Sequence, residues 1–569
     1  MCGIVGVLGE NAERDVLLKM LNEQKHRGPD YTGSWIDDGI CLGHNRLSII
    51  DLSDNANQPF KDTNNRYQIV FNGEIYNYLE LKKELDYSFK TSSDTEVLLA
   101  AFIKWGKDCL HRLNGMFSFA IWDRKEKKLF AARDRFGVKP FYYYHSENTF
   151  YFSSEIKTLF AAKIERIPRE KSWANYLAFG SYGMPNETFY ENIYQLAGGH
   201  YLEYKTKDLN IVKWYFFENE VKKHHKNLSF EEVKEKYTGI LKDSIKLRCR
   251  ADVPVVFNIS GGLDSSTLLT FVNLQEIKEE IQAYTFYTND KRYDELPWVE
   301  NMISMTNNPL HKVLLKAEEV EKLAKEIAYF QDEPFGGIPT LAYSTIFSKA
   351  KEENVLVLLD GQGMDEQWAG YDYYTKSNDA TIQGIKKTPF RKEVLSKKFL
   401  ALSEKPNYPK PFNDDVLNKQ YRDLFYTKIP RALRFNDRIS MAYSTELREP
   451  FLDYRLVEFA FAQPLKYKIK EGVQKYLLRD IVSEHLTDAI TYAPKRPLQT
   501  PQREWLGNEL KEFVSQQLDK IEQSKFSNWF NFSELRNEWS NYLDGDCDSS
   551  FHVWQWLNLS LSLNEDSEE

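Results

Sequence analysis

Two short apolar runs, each closed by a glycine-rich loop, restrict what this chain can fold into more than any other feature. Val253–Ile259 leads into Ser260-Gly261-Gly262-Leu263-Asp264-Ser265-Ser266 and a helical pattern; Val355–Leu359 leads into Asp360-Gly361-Gln362-Gly363-Met364-Asp365-Glu366. A third apolar run, Ile281–Tyr287, lies between them. Strand, glycine loop and helix in alternation predict a parallel α/β sheet whose ligands sit at the strand C-termini. In the first loop two glycines let backbone N–H groups approach an anion, serine hydroxyls add donors, and the helix start adds positive potential. No Gly-Lys-Ser/Thr follows, so this is not a Walker loop.

The residues before about 200 have a different character. Gly3–Leu8, Tyr67–Phe71, Phe117–Trp122, Lys128–Arg133 and Phe141–Tyr144 read as short strands. One helix stands out, Asp94–Trp105, with Ser93 or Asp94 as its cap and Glu96 in its first turn. The charged connector VKKHHKN precedes a helical pattern over Ser229–Arg248, and the chain beyond Leu400 is mainly helical. With 569 residues, too many for one core, two domains are expected, 1–205 and 215–563.

Charge and cysteine usage narrow the function classes. Against 75 basic residues stand 84 acidic ones, a net charge of −9 that argues against a nucleic-acid partner. Cys2, Cys41, Cys109, Cys249 and Cys547 are scattered and odd in number, which fits a reducing compartment rather than a disulfide framework or zinc site. No apolar stretch approaches the roughly 20 residues of a membrane span, and the charged start does not read as a signal peptide. A cytoplasmic protein is expected.

Cys2 follows the initiator Met, whose removal would give one residue both a thiol and an α-amine of pKa about 7.7–8.0. Such a thiol carries its own general base. Arg27–Asp30 (RGPD), His44–Asp51 (HNRLSIID), Phe71–Asn77 (FNGEIYN), Ser93–Glu96 (SDTE) and Arg133–Pro140 (RDRFGVKP) follow in order. Over residues 2 to about 160 the sequence resembles the glutaminase domain of class II, N-terminal-nucleophile amidotransferases. The resemblance implies an αββα sandwich, with Cys2 as nucleophile and Asn72 and Gly73 as oxyanion donors. It further implies that Arg46 binds the α-carboxylate of glutamine within the segment Leu47, Ser48, Ile49, Ile50, and that Glu74 and Asp94 bind its α-ammonium.

SGGLDSS resembles the pyrophosphate loop of ATP pyrophosphatases, which release AMP and pyrophosphate. The resemblance implies ATP at Ile259, Ser260, Gly261, Gly262, Asp264, Ser265, Phe286, Asp360 and Gly361, with Mg²⁺ on Asp264 and Asp365. Asn436-Asp437-Arg438, REPFLD at Arg448–Asp453 and GVQKYLLR at Gly472–Arg479 resemble the helical part of the same enzymes, where Lys475 would neutralise charge during adenylation. The two halves together resemble the glutamine-hydrolysing asparagine synthetases. That family implies small-molecule substrates (glutamine, ATP and an acceptor carboxylate), an ammonia tunnel whose lining the sequence does not show, and leaves a homodimer open.

Two departures fall where the acceptor would bind. Gln362 occupies the place of a glutamate tied to adenylate formation, and an amide can neither act as a base nor carry charge. Gly337-Ile338-Pro339-Thr340 lacks an arginine that helps hold aspartate in many of these enzymes. Aspartate is the leading acceptor, with Lys475 or Arg438 expected to replace the missing cation; a sugar uronic acid is the alternative.

Overall fold

The computed structural model describes residues 2–224, 226–275, 281–376, 388–496, 499–545 and 549–563. Met1, Cys547, His225 of the connector and the acidic tail lie outside them.

The amino-terminal part is built on two six-stranded antiparallel sheets. The first contains β1 (Gly3–Gly9), β2 (Tyr31–Asp37) and β3 (Ile40–Arg46); the second contains β4 (Phe60–Lys61), β5 (Tyr67–Ile75), β6 (Gly115–Asp123) and β7 (Lys128–Arg133). Then β8 (Tyr142–His145), β9 (Thr149–Ser153) and β10 (Ile193–Gln195) return to the first sheet, whose order is β10-β8-β9-β1-β3-β2. Two further strands, β11 (His200–Lys205) and β12 (Asp208–Lys213), complete the second, ordered β12-β11-β7-β6-β5-β4. Ile4, Leu42, Val70, Ala120, Ala131 and Phe152 fill the space between the sheets. Helices Arg14–Glu23 and Ile156–Ala161 cover the first sheet, and Tyr78–Glu84 and Asp94–Trp105 cover the second. This is the expected αββα sandwich, and it brings the end of β1 beside the middle of β5.

The helix Asp94–Trp105 has the expected limits, and Ser93 is its cap, accepting from the Thr95 N–H at 3.2 Å. Ser229 caps Phe230–Arg248 through a reciprocal capping box with Glu232.

The carboxy-terminal part contains a five-stranded parallel sheet: β13 (Val255–Asn258), β14 (Ala283–Tyr287), β15 (Leu310–Leu314), β16 (Val357–Leu359) and β17 (Glu446–Arg448). The order is β15-β14-β13-β16-β17. Chain direction across the sheet therefore reverses between β13 and β16, the two strands that carry the glycine loops, and such a reversal opens a crevice at the strand C-termini. The sequence announced neither β15 nor β17, the latter three residues inside a helical stretch.

Candidate active sites

In the amino-terminal sandwich the buried Cys2 nitrogen donates to Asn72 Oδ1 at 3.1 Å, and the Cys2 carbonyl accepts from Arg27 Nε at 3.1 Å. Asn72 is fully buried and its Nδ2 has no partner. An amide held at one end and free at the other is a preorganised donor beside the thiol. Gly73 follows at φ +150°, and a Cβ there would lie 2.1 Å from the Met116 carbonyl oxygen, so β5 can cross β6 here only with glycine. Burial pushes the Cys2 thiol above its ordinary pKa, so at rest it is protonated.

Around it lie Arg46, Leu47, Ile49, Ile50, Gly73, Glu74 and Asp94. Ser48 does not line this cavity; its N–H donates to Asp30 Oδ2 at 2.7 Å. Arg46 donates to the Ser53 carbonyl and Asn57 Oδ1, both at 2.8 Å, and to the Asp51 carbonyl. These acceptors fix the guanidinium yet leave its charge unneutralised. Glu74 is pushed well above the usual carboxylate range by burial and by the charges of Glu446 and Asp94; burial raises Asp94 to about 6. Two buried carboxyls with raised pKa values face a shortage of positive charge.

Glu446 and Arg448 come from β17 of the other half. Arg448 pairs with Glu446 at 2.5 Å and approaches Glu74 at 3.6 Å, while its carbonyl accepts from the Asp360 N–H at 2.9 Å.

The second site is a cavity of about 400 Å³ at the reversal point of the parallel sheet. Ile259, Ser260, Gly262, Asp264, Ser265, Phe286, Asp360, Gly361, Gln362, Asp365 and Lys475 line it, as the sequence suggested. Gly261 does not: at φ +70° it turns the loop against Trp298 and Val299, whose atoms a Cβ would meet at 2.7–2.8 Å. Ser265 Oγ accepts from the Ser260 N–H at 3.2 Å and closes the loop. Asn258 Nδ2 and the Gly361 N–H donate to Asp360 Oδ1 at 3.2 and 2.8 Å.

Lys475 was read as lying on a helix face. It sits instead at φ +55°, ψ +36°, just before helix Tyr476–Val482. This backbone state is costly for a lysine, and its ammonium bridges Asp264 at 2.7 Å and Asp365 at 2.5 Å. Lys495, which the sequence did not single out, reaches the other oxygen of Asp365 at 2.5 Å. Burial alone would raise the Asp365 carboxyl, but the two ammonium groups hold it far below the usual range. The donor set is two hard carboxylates at adjacent strand ends. Among the described residues no third carboxylate, histidine or cysteine joins them into a metal cluster. That suits Mg²⁺, which keeps water and phosphate oxygens as its remaining ligands.

Arg438 is not in this cavity. Only 1% exposed, it donates to the Ser154 carbonyl at 2.9 Å and lies 3.5–3.6 Å from Glu155, Asp332 and Asp437 between the two halves. It cannot replace the missing acceptor cation, and Lys475 is committed to the two aspartates. The sequence missed three other cations of the cavity, Lys428, Arg431 and Arg496.

Comparison with known proteins agrees with this division. A glutamine amidotransferase domain model matches residues 1–215 and an asparagine synthase model matches residues 236–564. Asparagine synthetase [glutamine-hydrolyzing] 3 of Bacillus subtilis is 31% identical over 87% of this chain and 86% of its own length. A putative asparagine synthetase [glutamine-hydrolyzing] 2 of Methanocaldococcus jannaschii is 36% identical over 70% of this chain and 80% of its own. A fungal protein named amidase chry2, from Gibberella zeae, is 26% identical over 89% of this chain and 88% of its own.

Proposed function

Since the chain belongs to the asparagine synthase family and carries that family's glutamine amidotransferase domain, we propose that it makes asparagine from aspartate, taking nitrogen from glutamine and driving the step with ATP. The coarser activity, glutamine-dependent and ATP-driven amidation of a carboxylate, follows from membership. The observation that carries the reading is the Asp264–Lys475–Asp365 bridge at the reversal point, in one chain with the Cys2–Asn72 pair.

In this reading residues 1–205 hydrolyse glutamine and residues 215–563 activate the acceptor. Cys2, freed of Met1, passes its proton to its own α-amine and attacks the glutamine amide carbon; ammonia leaves and water cleaves the thioester. Asn72 Nδ2 and the Gly73 N–H take the oxyanion charge. Arg46 takes the glutamine α-carboxylate, and Glu74 and Asp94 take its α-ammonium, which supplies the positive charge they lack. In the other half the Ser260–Ser265 loop holds phosphate oxygens. Asp264 and Asp365 would hold Mg²⁺, which neutralises phosphate charge as AMP is transferred to the acceptor carboxylate and pyrophosphate leaves. Lys475, held between the same aspartates, faces that charge from the protein side.

The test is product analysis with glutamine, Mg-ATP and a panel of carboxylates. Aspartate should yield asparagine, AMP and pyrophosphate, and Cys2→Ala should abolish glutaminase while ammonia-dependent synthesis survives. ADP and phosphate as products would refute the activation chemistry. Inert aspartate beside an active uronic acid would replace the acceptor, the outcome that Gln362 and Pro339 favour over any other alternative.

A further inference from the structure

The first turn of the helix Lys428–Ala442 presents Lys428 and Arg431, one turn apart, to the cavity that holds the Ser260 loop. The cavity's other cations are occupied. Lys475 and Lys495 pair with aspartates, Arg479 donates to the carbonyls of Gln474, Thr491 and Ala493, and Arg496 stacks on Trp298 at 3.4 Å. Among the described residues Lys428 and Arg431 have no carboxylate partner. Lys428 lies 5.0 Å from the Tyr371 ring and 5.6 Å from the Tyr373 ring, and Arg431 5.9 Å from the Tyr182 ring.

Nearby acids do not neutralise them. Asp423 accepts from Arg422 at 2.9 Å and from Tyr373 and Thr427 at 2.6 Å. Glu366 accepts from the Tyr371 hydroxyl at 2.9 Å. Gln362 is neutral by type. The 15-residue helix adds its own positive end, since Thr427 leaves its first N–H groups without a side-chain cap. Two half-buried cations that line one cavity beside a helix start, without a carboxylate partner among the described residues, suit an anionic ligand.

The position says which anion. The same helix packs on the helix Ile338–Glu352 and on the loop before it: a Cβ at Gly336 would lie 2.9 Å from Thr340 Oγ1 and 3.0 Å from the Phe435 ring. That is the loop from which the acceptor arginine of related enzymes is missing. We propose that Lys428 and Arg431, in the first turn of their helix, bind an anionic group of the acceptor other than the carboxylate that is amidated. For aspartate this group is the α-carboxylate. The assignment rests on the reading that the acceptor reacts in this cavity. It makes acceptor choice a matter of charge placement: a monocarboxylate without a second anion leaves the pair unneutralised and is rejected.

The test uses the full-length protein with Mg-ATP and ammonium, so that the glutaminase half does not enter the measurement. Wild type, Lys428→Met, Arg431→Gln and Lys428→Arg are assayed for pyrophosphate release with L-aspartate, L-aspartate α-amide and UDP-glucuronate. Removing a charged partner from a charge-assisted hydrogen bond should raise the KM of the active dianionic acceptor roughly 10- to 100-fold in the first two variants. The KM for ATP and the glutaminase rate should not move, and Lys428→Arg should restore most of the loss. Wild type should prefer aspartate to its α-amide, and the variants should lose that preference. An increase confined to the KM for ATP would overturn the assignment, because the pair would then serve nucleotide phosphate; so would an α-amide as good as aspartate, or unchanged acceptor KM in both variants. If aspartate is inert while UDP-glucuronate turns over and weakens in the variants, the subsite stands and the aspartate reading falls. If none of the three turns over, calorimetric titration of the two dianionic compounds in the presence of a non-hydrolysable ATP analogue decides. Binding that the variants lose upholds the subsite, and its absence in wild type overturns it.

Discussion

Asn72 divides its amide between two tasks, Oδ1 holding the Cys2 nitrogen and Nδ2 having no hydrogen-bond partner among the described residues. Asn72→Ala should therefore lower the glutaminase kcat by about 10²–10³, the usual loss for one oxyanion donor, with ammonia-dependent pyrophosphate release unchanged. Lys428 gives a second residue-level prediction. Its pKa is lowered to about 7, first by burial and then by Arg431, with Arg422 acting in the same direction and Asp423 and Glu366 opposing. Below pH 7 it is charged and binds an anion; above pH 7 it loses that charge, and near pH 8 Glu366 ionises and adds repulsion. The acceptor kcat/KM should fall from pH 6.5 to 8.5, more gently in Lys428→Arg, while the kcat/KM for ATP follows neither group. Cys2, Arg46, Asp264 and Asp365 were legible because their chemistry needs that residue type at a turn or strand end. Lys428, Arg431 and Lys495 were not, since a lysine or arginine in a helical or loop stretch carries no local mark of the cavity that topology builds around it.

At the scale of elements, long or capped segments were readable and short ones were not. Asp94–Trp105 has a cap, an acidic first turn and twelve residues of pattern. β17 has three residues between helices and forms only because β16 offers it a free edge, information that resides in the sheet and not in the segment. The α/β half showed its loops for the opposite reason: a glycine turn after a buried strand is a local signal. The place of Lys475 was not legible, because its left-handed backbone goes with the Lys475 N–H donating to the Trp368 carbonyl at 3.2 Å. The turn that carries this geometry includes Gly370, where a Cβ would lie 2.0 Å from Asp365 Oδ1 and 2.3 Å from Lys475 Cε. Gly370→Ala should separate that pair and reduce ammonia-dependent synthesis at least about tenfold, since misplacing catalytic groups by an ångström costs that much or more. Glutaminase activity, measured as glutamate release, should persist.

Across the whole molecule the two halves are joined by a buried charge cluster. Arg27 reaches Asp437 through two bonds of 2.9 and 3.0 Å, Glu155 at 2.9 Å and the Cys2 carbonyl at 3.1 Å. Burial alone would raise the Asp437 carboxyl, but Arg27 holds it below its ordinary value; Glu155 is likewise held down by His26, Lys157 and Arg438. Groups with depressed folded pKa values stabilise above their unfolded pKa, about 4, and that contribution is lost as pH falls through the folded values. Near-UV circular dichroism should show an acid transition below pH 4. Arg27→Met, which takes from Asp437 its two-bond partner in a buried ion pair at a cost of about 3–5 kcal/mol, should move its midpoint upward and slow glutaminase turnover. The motifs RGPD and Asn436-Asp437-Arg438 contain Arg27, Asp437 and Arg438 but not Glu155, His26 or Lys157, and the meeting of these groups depends on the packing of the two halves and has no signature in either segment. The helix Lys428–Ala442 thus has two unlike ends: Asp437 and Arg438 are locked into the join, while Lys428 and Arg431, about two turns earlier, hold no partner. Evolution can therefore rewrite the first turn without endangering the fold. Descendants of this chain are free to explore new acceptors through two codons, whereas position 437 is closed to drift.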